Sequence, residues 1–195
     1  MAKERYHHGD LRRALLDAAA AAIAESGPAA LSLRDLARRA GVSHAAPTHH
    51  FGDKPGLLTA LATEGFTQLA AALAETRATT GSFLELGVAY VRYATTHRAH
   101  FEVMWRPDLY HGDDAALAAA REQAGDALYA GVADLPDGHA GAGGESVREA
   151  GLAAWSLAHG FATLWLSGSL PQTSETPDEA ARAVLRQLTD RTDRT

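Results

Sequence analysis

Residues 31–43 read Leu31-Ser-Leu-Arg-Asp-Leu-Ala-Arg-Arg-Ala-Gly-Val-Ser43, and this stretch decides the fold. Leu33, Leu36, Ala37 and Ala40 recur at helical spacing and form one apolar face. Ser32 is a good N-cap, with Asp35 three residues on as an acidic variant of the capping box. Gly41 ends the helix, because glycine takes the left-handed conformation a tight turn needs. Ser43 then reads as the N-cap of a short second helix finishing around Phe51-Gly52, with Val42 tucked into the angle between the two. Helix 32–40, the break at Gly41 and a helix from Ser43 make a helix–turn–helix spacing, whose second helix is short enough to enter a major groove by its N-terminal end.

Outward from this motif the chain reads as helix almost throughout. Upstream, Leu11, Leu15, Ala18, Ala22 and Ile23 keep helical spacing until Ser26-Gly27-Pro28 stops them. Downstream, Lys54-Pro55 opens a long fourth helix with Leu57, Leu61, Leu69 and Leu73 on one stripe, ending near Thr80-Gly81. Further helices are expected over about 82–96, 98–106, 113–134, 145–169 and 177–190, the last started by Thr176, Pro177 and Glu179. Pro136–Gly144 is rich in glycine and reads as a flexible connection. No run alternates with period two over strand length, so the class is all-α.

The 195 residues carry 46% hydrophobic and 22% charged side chains, which places them in the globular range. The absence of cysteine excludes disulfide frameworks, thiolate metal sites and cysteine nucleophiles. The net charge of −6 argues against a polyanionic partner, but it is unevenly spread. Residues 1–57 carry +2 and residues 58–195 carry −8, so a weakly basic, histidine-rich head sits on an acidic remainder. Binding by such a head should strengthen below about pH 6.5, as histidines charge. The start of the chain has no apolar run of signal-peptide type. From Ala150 to Ser174 there is no charged residue, but Ser156, His159, Gly160 and Thr163 make this a buried or interface helix rather than a membrane span.

The run from Asp10 to Leu58, with His49-His-Phe-Gly-Asp-Lys54 following the helix–turn–helix, closely resembles the N-terminal domain of the tetracycline-repressor (TetR) family of bacterial regulators. Trp155-Ser-Leu-Ala-His159-Gly160 and the opening Tyr6-His-His-Gly-Asp-Leu are similar to a Trp/His/Gly subtype of that family's C-terminal domain. The resemblance implies a three-helix DNA-binding domain over 1–54. The long fourth helix would join it to a helical effector-binding and dimerisation bundle over 55–195. It implies a cytoplasmic homodimer that binds palindromic double-stranded operator DNA and is released by a small-molecule effector, itself largely apolar. No cofactor, metal or membrane partner is implied.

Carried over position by position, Ser43, His44, Ala45 and Ala46 face the groove. Thr48, His49 and Lys54 occupy positions that meet phosphate, and Ser32 and Arg34 are further backbone-contact candidates. Phe51 matches a core position. The chain departs from the family at Thr48, where tyrosine is usual, and at Pro47, which would remove the first intrahelical bond of a helix capped by Ser43. A small, apolar Ala45-Ala46-Pro47 surface suits thymine methyls and DNA shape better than bidentate base contacts.

Phe101, Met104, Trp105 and Tyr110 crowd one region beside Tyr90 and Tyr93. Ordinary core packing and the wall of an effector pocket are both open readings. With His97, Trp155 and His159 they form the candidate effector set. His97-x-x-His100 could place two imidazoles on one face, with His111, Glu102 or Asp108 as a third ligand, but half-buried histidines without metal are the commoner outcome. The pairs Arg12–Arg13 and Arg38–Arg39 are credited with phosphate attraction only. No phosphate loop, nucleophile elbow or defensible carboxylate pair is present, so no enzyme is expected. The rival classes are a metal-responsive form of the same regulator and a helical binding protein without DNA affinity.

Overall fold

The computed structural model describes residues 8–133, 144–171 and 176–192. The Tyr6-His7 opening, the connection up to Gly143 and residues 172–175 of the uncharged stretch lie outside the described residues. Among the described residues there is no strand. The helices are α1 (His8–Ser26), α2 (Leu33–Arg39), α3 (Ala46–Phe51), α4 (Lys54–Thr80), α5 (Phe83–Thr96), α6 (Arg98–Met104), α7 (Ala115–Ala133), α8 (Gly144–Leu166) and α9 (Pro177–Thr192). Short 3-10 turns at Pro28–Ala30 and Pro107–Leu109 join α1 to α2 and α6 to α7.

Packing divides the chain into two compact units, residues 1–65 with 99–118, and residues 66–98 with 119–195. The first unit buries Leu15, Leu16, Ala19 and Ile23 of α1 and Leu36 and Ala37 of α2, with Leu57, Leu58 and Leu61 of α4. The segment 99–118 belongs to this core through Phe101, Val103, Met104, Tyr110 and Leu117. Three long-range contacts among the described residues pin that segment. His100 Nε2 lies 3.1 Å from Glu64 Oε1, and Glu64 Oε2 accepts from Arg13 at 2.6 Å. The His111 amide donates to Thr59 Oγ1 at 3.0 Å, and its ring Nε2 lies 3.1 Å from Asp53 Oδ1.

The second unit is built around α5, which buries Leu86, Val88, Ala89, Tyr90, Val91, Tyr93 and Ala94. Ser82 caps α5 by accepting from the Glu85 amide at 3.3 Å. Helix α9 lies against α5 through Ala180, Ala181 and Leu185 and through a bidentate pair, Arg182 to Glu85 at 2.9 and 2.8 Å. Thr176 caps α9 as expected, accepting from the Glu179 amide at 3.3 Å. Helix α8 stops at Leu166 and turns through Gly168, so the uncharged stretch is not one continuous helix. Among the described residues the helix long and apolar enough to cross a membrane is instead α4, and 56% of its most apolar window is buried within the protein, as in a core helix.

Candidate nucleic-acid interface

The turn between α2 and α3 forms as its residues dictate. Gly41 has φ 66°, the left-handed region that favours glycine. Its amide donates to the Arg38 carbonyl at 3.2 Å, and the Val42 amide donates to the Ala37 carbonyl at 3.0 Å. This pair of bonds closes the C-terminus of α2 as a Schellman motif, with half-buried Val42 just beyond the glycine.

The start of α3 corrects the sequence reading. Ser43 does not cap it; the Ala46 amide bonds to the Ser43 carbonyl at 3.0 Å in a preceding turn, and the helix begins at Ala46. Pro47 therefore lies in the first helical turn, where its missing N–H has no intrahelical partner to lose. The expected loss of the first intrahelical bond does not arise. Pro47 is also buried, so it belongs to the core and not to the exposed surface assigned to it with Ala45 and Ala46.

Ser32 occupies the N-cap position of α2 but makes no side-chain capping bond. Its expected partner in the box, Asp35, is held by Arg38 and, at 2.9 Å, by Arg39. Those guanidiniums hold the Asp35 carboxyl below the usual carboxylate range. Arg39 also reaches Glu25 at 2.8 Å, and Arg13 pairs with Asp17 and Glu64. The arginine pairs of the head are thus largely engaged by acids. Arg34 and Arg12 are exposed and have no carboxylate partner among the described residues; Arg12 lies 5.2 Å from the centroid of the Phe51 ring.

Ser43, His44, Ala45, Thr48 and His49 are exposed and Ala46 is half-exposed. They sit on the turn and on one short helix, together with exposed Ser32 and Arg34 at the start of α2. Lys54, half-buried at the start of α4, donates to the Ala29 carbonyl at 2.9 Å. Asp53 caps α4 through the Gly56 amide at 2.7 Å; that bond, with His111 beside it, lowers the carboxyl's pKa. Gly56 is required here, since a Cβ would overlap the Phe51 carbonyl oxygen. The α3–α4 corner is set by these contacts, and sequence reading missed those of His111 because it lies 52 residues from Thr59 and 58 from Asp53.

The candidate effector residues fall in both units. Tyr90, Tyr93, His97, Trp155 and His159 belong to the second, and Phe101, Met104, Trp105 and Tyr110 to the first. In the second unit the Tyr90 hydroxyl lies 2.9 Å from His159 Nδ1 and accepts from Trp155 Nε1 at 3.2 Å. Burial pushes the Tyr90 hydroxyl pKa up and the His159 pKa down. Tyr90 also borders an apolar cavity of about 50 Å³ with Phe83, Leu86, Leu128 and Leu185. His97 ends α5 and stacks on Tyr93, with ring centroids 4.7 Å apart. In the first unit Phe101 and Trp105 meet edge to face at 6.4 Å, and the Tyr110 hydroxyl donates to the Met104 carbonyl at 2.9 Å. Among the described residues no three His, Cys, Asp or Glu side chains are grouped to hold a metal.

Residues 15–61 match the family described as bacterial regulatory proteins, tetR family, and residues 83–188 match the tetracyclin repressor-like C-terminal domain. A protein of unknown function from Rhodococcus sp. RHA1 is similar at 37% identity and a TM-score of 0.77, over 95% of this chain and 96% of that one. A TetR family transcriptional regulator, PfmR from Thermus thermophilus, is similar at 25% identity and a TM-score of 0.66, over 88% of this chain and 94% of that one. A TetR-family transcriptional regulator from Bordetella parapertussis 12822, at 20% identity and a TM-score of 0.66 over 93% and 95%, shares the fold. No curated protein matches.

Proposed function

This chain belongs to the TetR family of bacterial DNA-binding transcriptional regulators, and from that premise we propose that it is a repressor that binds a palindromic operator as a homodimer and is released by a small molecule. Residues 1–54 would read DNA, and residues 55–195 would bind effector and dimerise. The observation that carries the reading is the exposed set Ser43, His44, Ala45, Thr48 and His49, displayed on a turn and a helix whose buried side is anchored by Pro47. Ala45 and Ala46 offer methyl contact to thymine, and Thr48, His49, Arg34, Ser32 and Lys54 offer donors to phosphate.

A single short helix reads only a few base pairs, so two copies are needed for a half-site pair about one helical turn apart. Three observations support a dimer through α8 and α9. The exposed large hydrophobics among the described residues are Leu152, Leu164 and Val184, all on these helices. Leu152, Ser156, Gly160 and Leu164 follow one another four residues apart, an uncharged stripe along α8. Among the described residues nothing would meet a Cβ at Gly160, so no described neighbour gives its glycine a packing reason.

The effector would enter the second unit beside the Tyr90–Trp155–His159 cluster, where the existing cavity would have to widen by moving Leu86 or Leu185. Its occupation would release DNA only by binding the DNA-free state more tightly. The test is a selection of genomic fragments on the purified protein, followed by footprinting. Protection of two symmetric half-sites by a dimer is expected; a chain that is monomeric at micromolar concentration and retains no fragment overturns the proposal.

A further inference from the structure

The first unit contains a cleft that the operator-binding function leaves unused, and we propose that it is a second small-molecule site, one that takes an organic carboxylate anchored on Arg12. The cleft measures about 500 Å³ and is walled by α1, the end of α3, the first turns of α4 and residues 111–116. Ligand pockets run about 300–1,000 Å³. The apolar cavity in the other unit is a tenth of this size, at about 50 Å³.

Two carboxylates and one guanidinium line the cleft, and each carboxylate already accepts a hydrogen bond. Glu64 is held by Arg13 at 2.6 Å and by His100 at 3.1 Å. Asp114 caps α7 by accepting from the Leu117 amide at 2.9 Å. Arg12 has no carboxylate partner among the described residues, and the partner of Asp114 is a backbone amide, not a cation. Its guanidinium lies over the Phe51 ring, 5.2 Å from the centroid, which holds the planar fork in place and leaves its N–H edges available. A carboxylate accepts two parallel bonds from such a fork. Phe51, Ala60 and Ala116 supply apolar surface beside it, so the ligand that fits carries an apolar body behind its carboxylate. Because the walls include the last turn of the reading helix, occupancy touches the element that faces DNA. The site stands on its own geometry and does not depend on operator binding.

The test is calorimetric titration of the full chain with benzoate as the probe, with inorganic phosphate as a second arm. Benzoate is expected to bind at one site, about ten-fold or more weaker in Arg12→Gln, the loss that goes with one charge-assisted bond. Ala116→Leu, at an exposed helical position, should weaken it with Arg12 intact by filling the cleft. Tyr90→Phe in the other unit should leave it unchanged. No benzoate binding, an unchanged affinity in Arg12→Gln, loss in Tyr90→Phe, or phosphate binding as tightly as benzoate would each overturn the proposal.

Discussion

The Tyr90 hydroxyl lies 2.9 Å from Nδ1 of His159 and joins α5 to α8. The same oxygen accepts from Trp155 Nε1 at 3.2 Å, and an indole N–H can only donate. That leaves the Tyr90 proton able to go to His159 Nδ1, a direction that requires the neutral imidazole to carry its own proton on Nε2. Tyr90→Phe keeps the ring and removes the oxygen that serves both partners. A loss of about 1–3 kcal/mol is expected in urea unfolding, with the helical content unchanged. A loss below about 0.5 kcal/mol would show that this oxygen holds nothing.

Stability should also fall on acidification through His159. Burial lowers its pKa, so between the folded and unfolded values the unfolded chain binds the extra proton. The contribution is complete above the ordinary imidazole range and is lost as pH falls through it. Wild type and His159→Gln should differ in slope across that window by unfolding at a series of pH values. Parallel curves would remove His159 from the account.

Pro47→Ala should destabilise the protein by about 1 kcal/mol, through a small cavity and a freer unfolded chain, without changing operator preference. Pro47 is buried in the first turn of α3 and costs that helix no bond. A stabilising substitution, measured by thermal unfolding, would mean that the helix starts earlier.

Gly56→Ala should damage the corner between α3 and α4, since the added Cβ would overlap the Phe51 carbonyl oxygen. The expected cost is about 3 kcal/mol. Limited proteolysis should then cut near residues 51–56 in the variant and not in the wild type.

Arg34→Ala should lower the salt slope of operator binding by about one, because this exposed cation has no carboxylate partner among the described residues. Arg38→Ala should change it less, since Arg38 is already paired with Asp35. Binding assayed across a range of salt concentrations separates the two. Equal effects would mean that ion pairing within the head does not select its phosphate contacts.

The helices, their order and the α2–α3 turn were legible in the chain because their causes are local. Apolar residues three and four apart, Gly41 after Ala40, and Thr176-Pro177 before α9 each act within a few residues. The start of α3 was less legible. A serine before Pro47 reads as a cap, yet burial of the proline ring and a turn bonded to the Ser43 carbonyl move the helix to Ala46.

What the sequence by itself determined is therefore the all-helical class, the reading motif and the residues displayed on it, including His44, Ala45, Thr48 and His49. Only the tertiary structure decided which charges remain available, since Arg13 and Arg39 meet Glu64 and Glu25 from far along the chain. It also decided that the aromatic run from Tyr90 to Tyr110 serves two units, the chain leaving α5 at His97 and packing 99–118 with the head. The division follows from physics: helix periodicity and capping depend on neighbours in sequence. Ion pairing and core membership depend on neighbours in space, which Glu64, His100, Asp53 and His111 become only once the chain has folded.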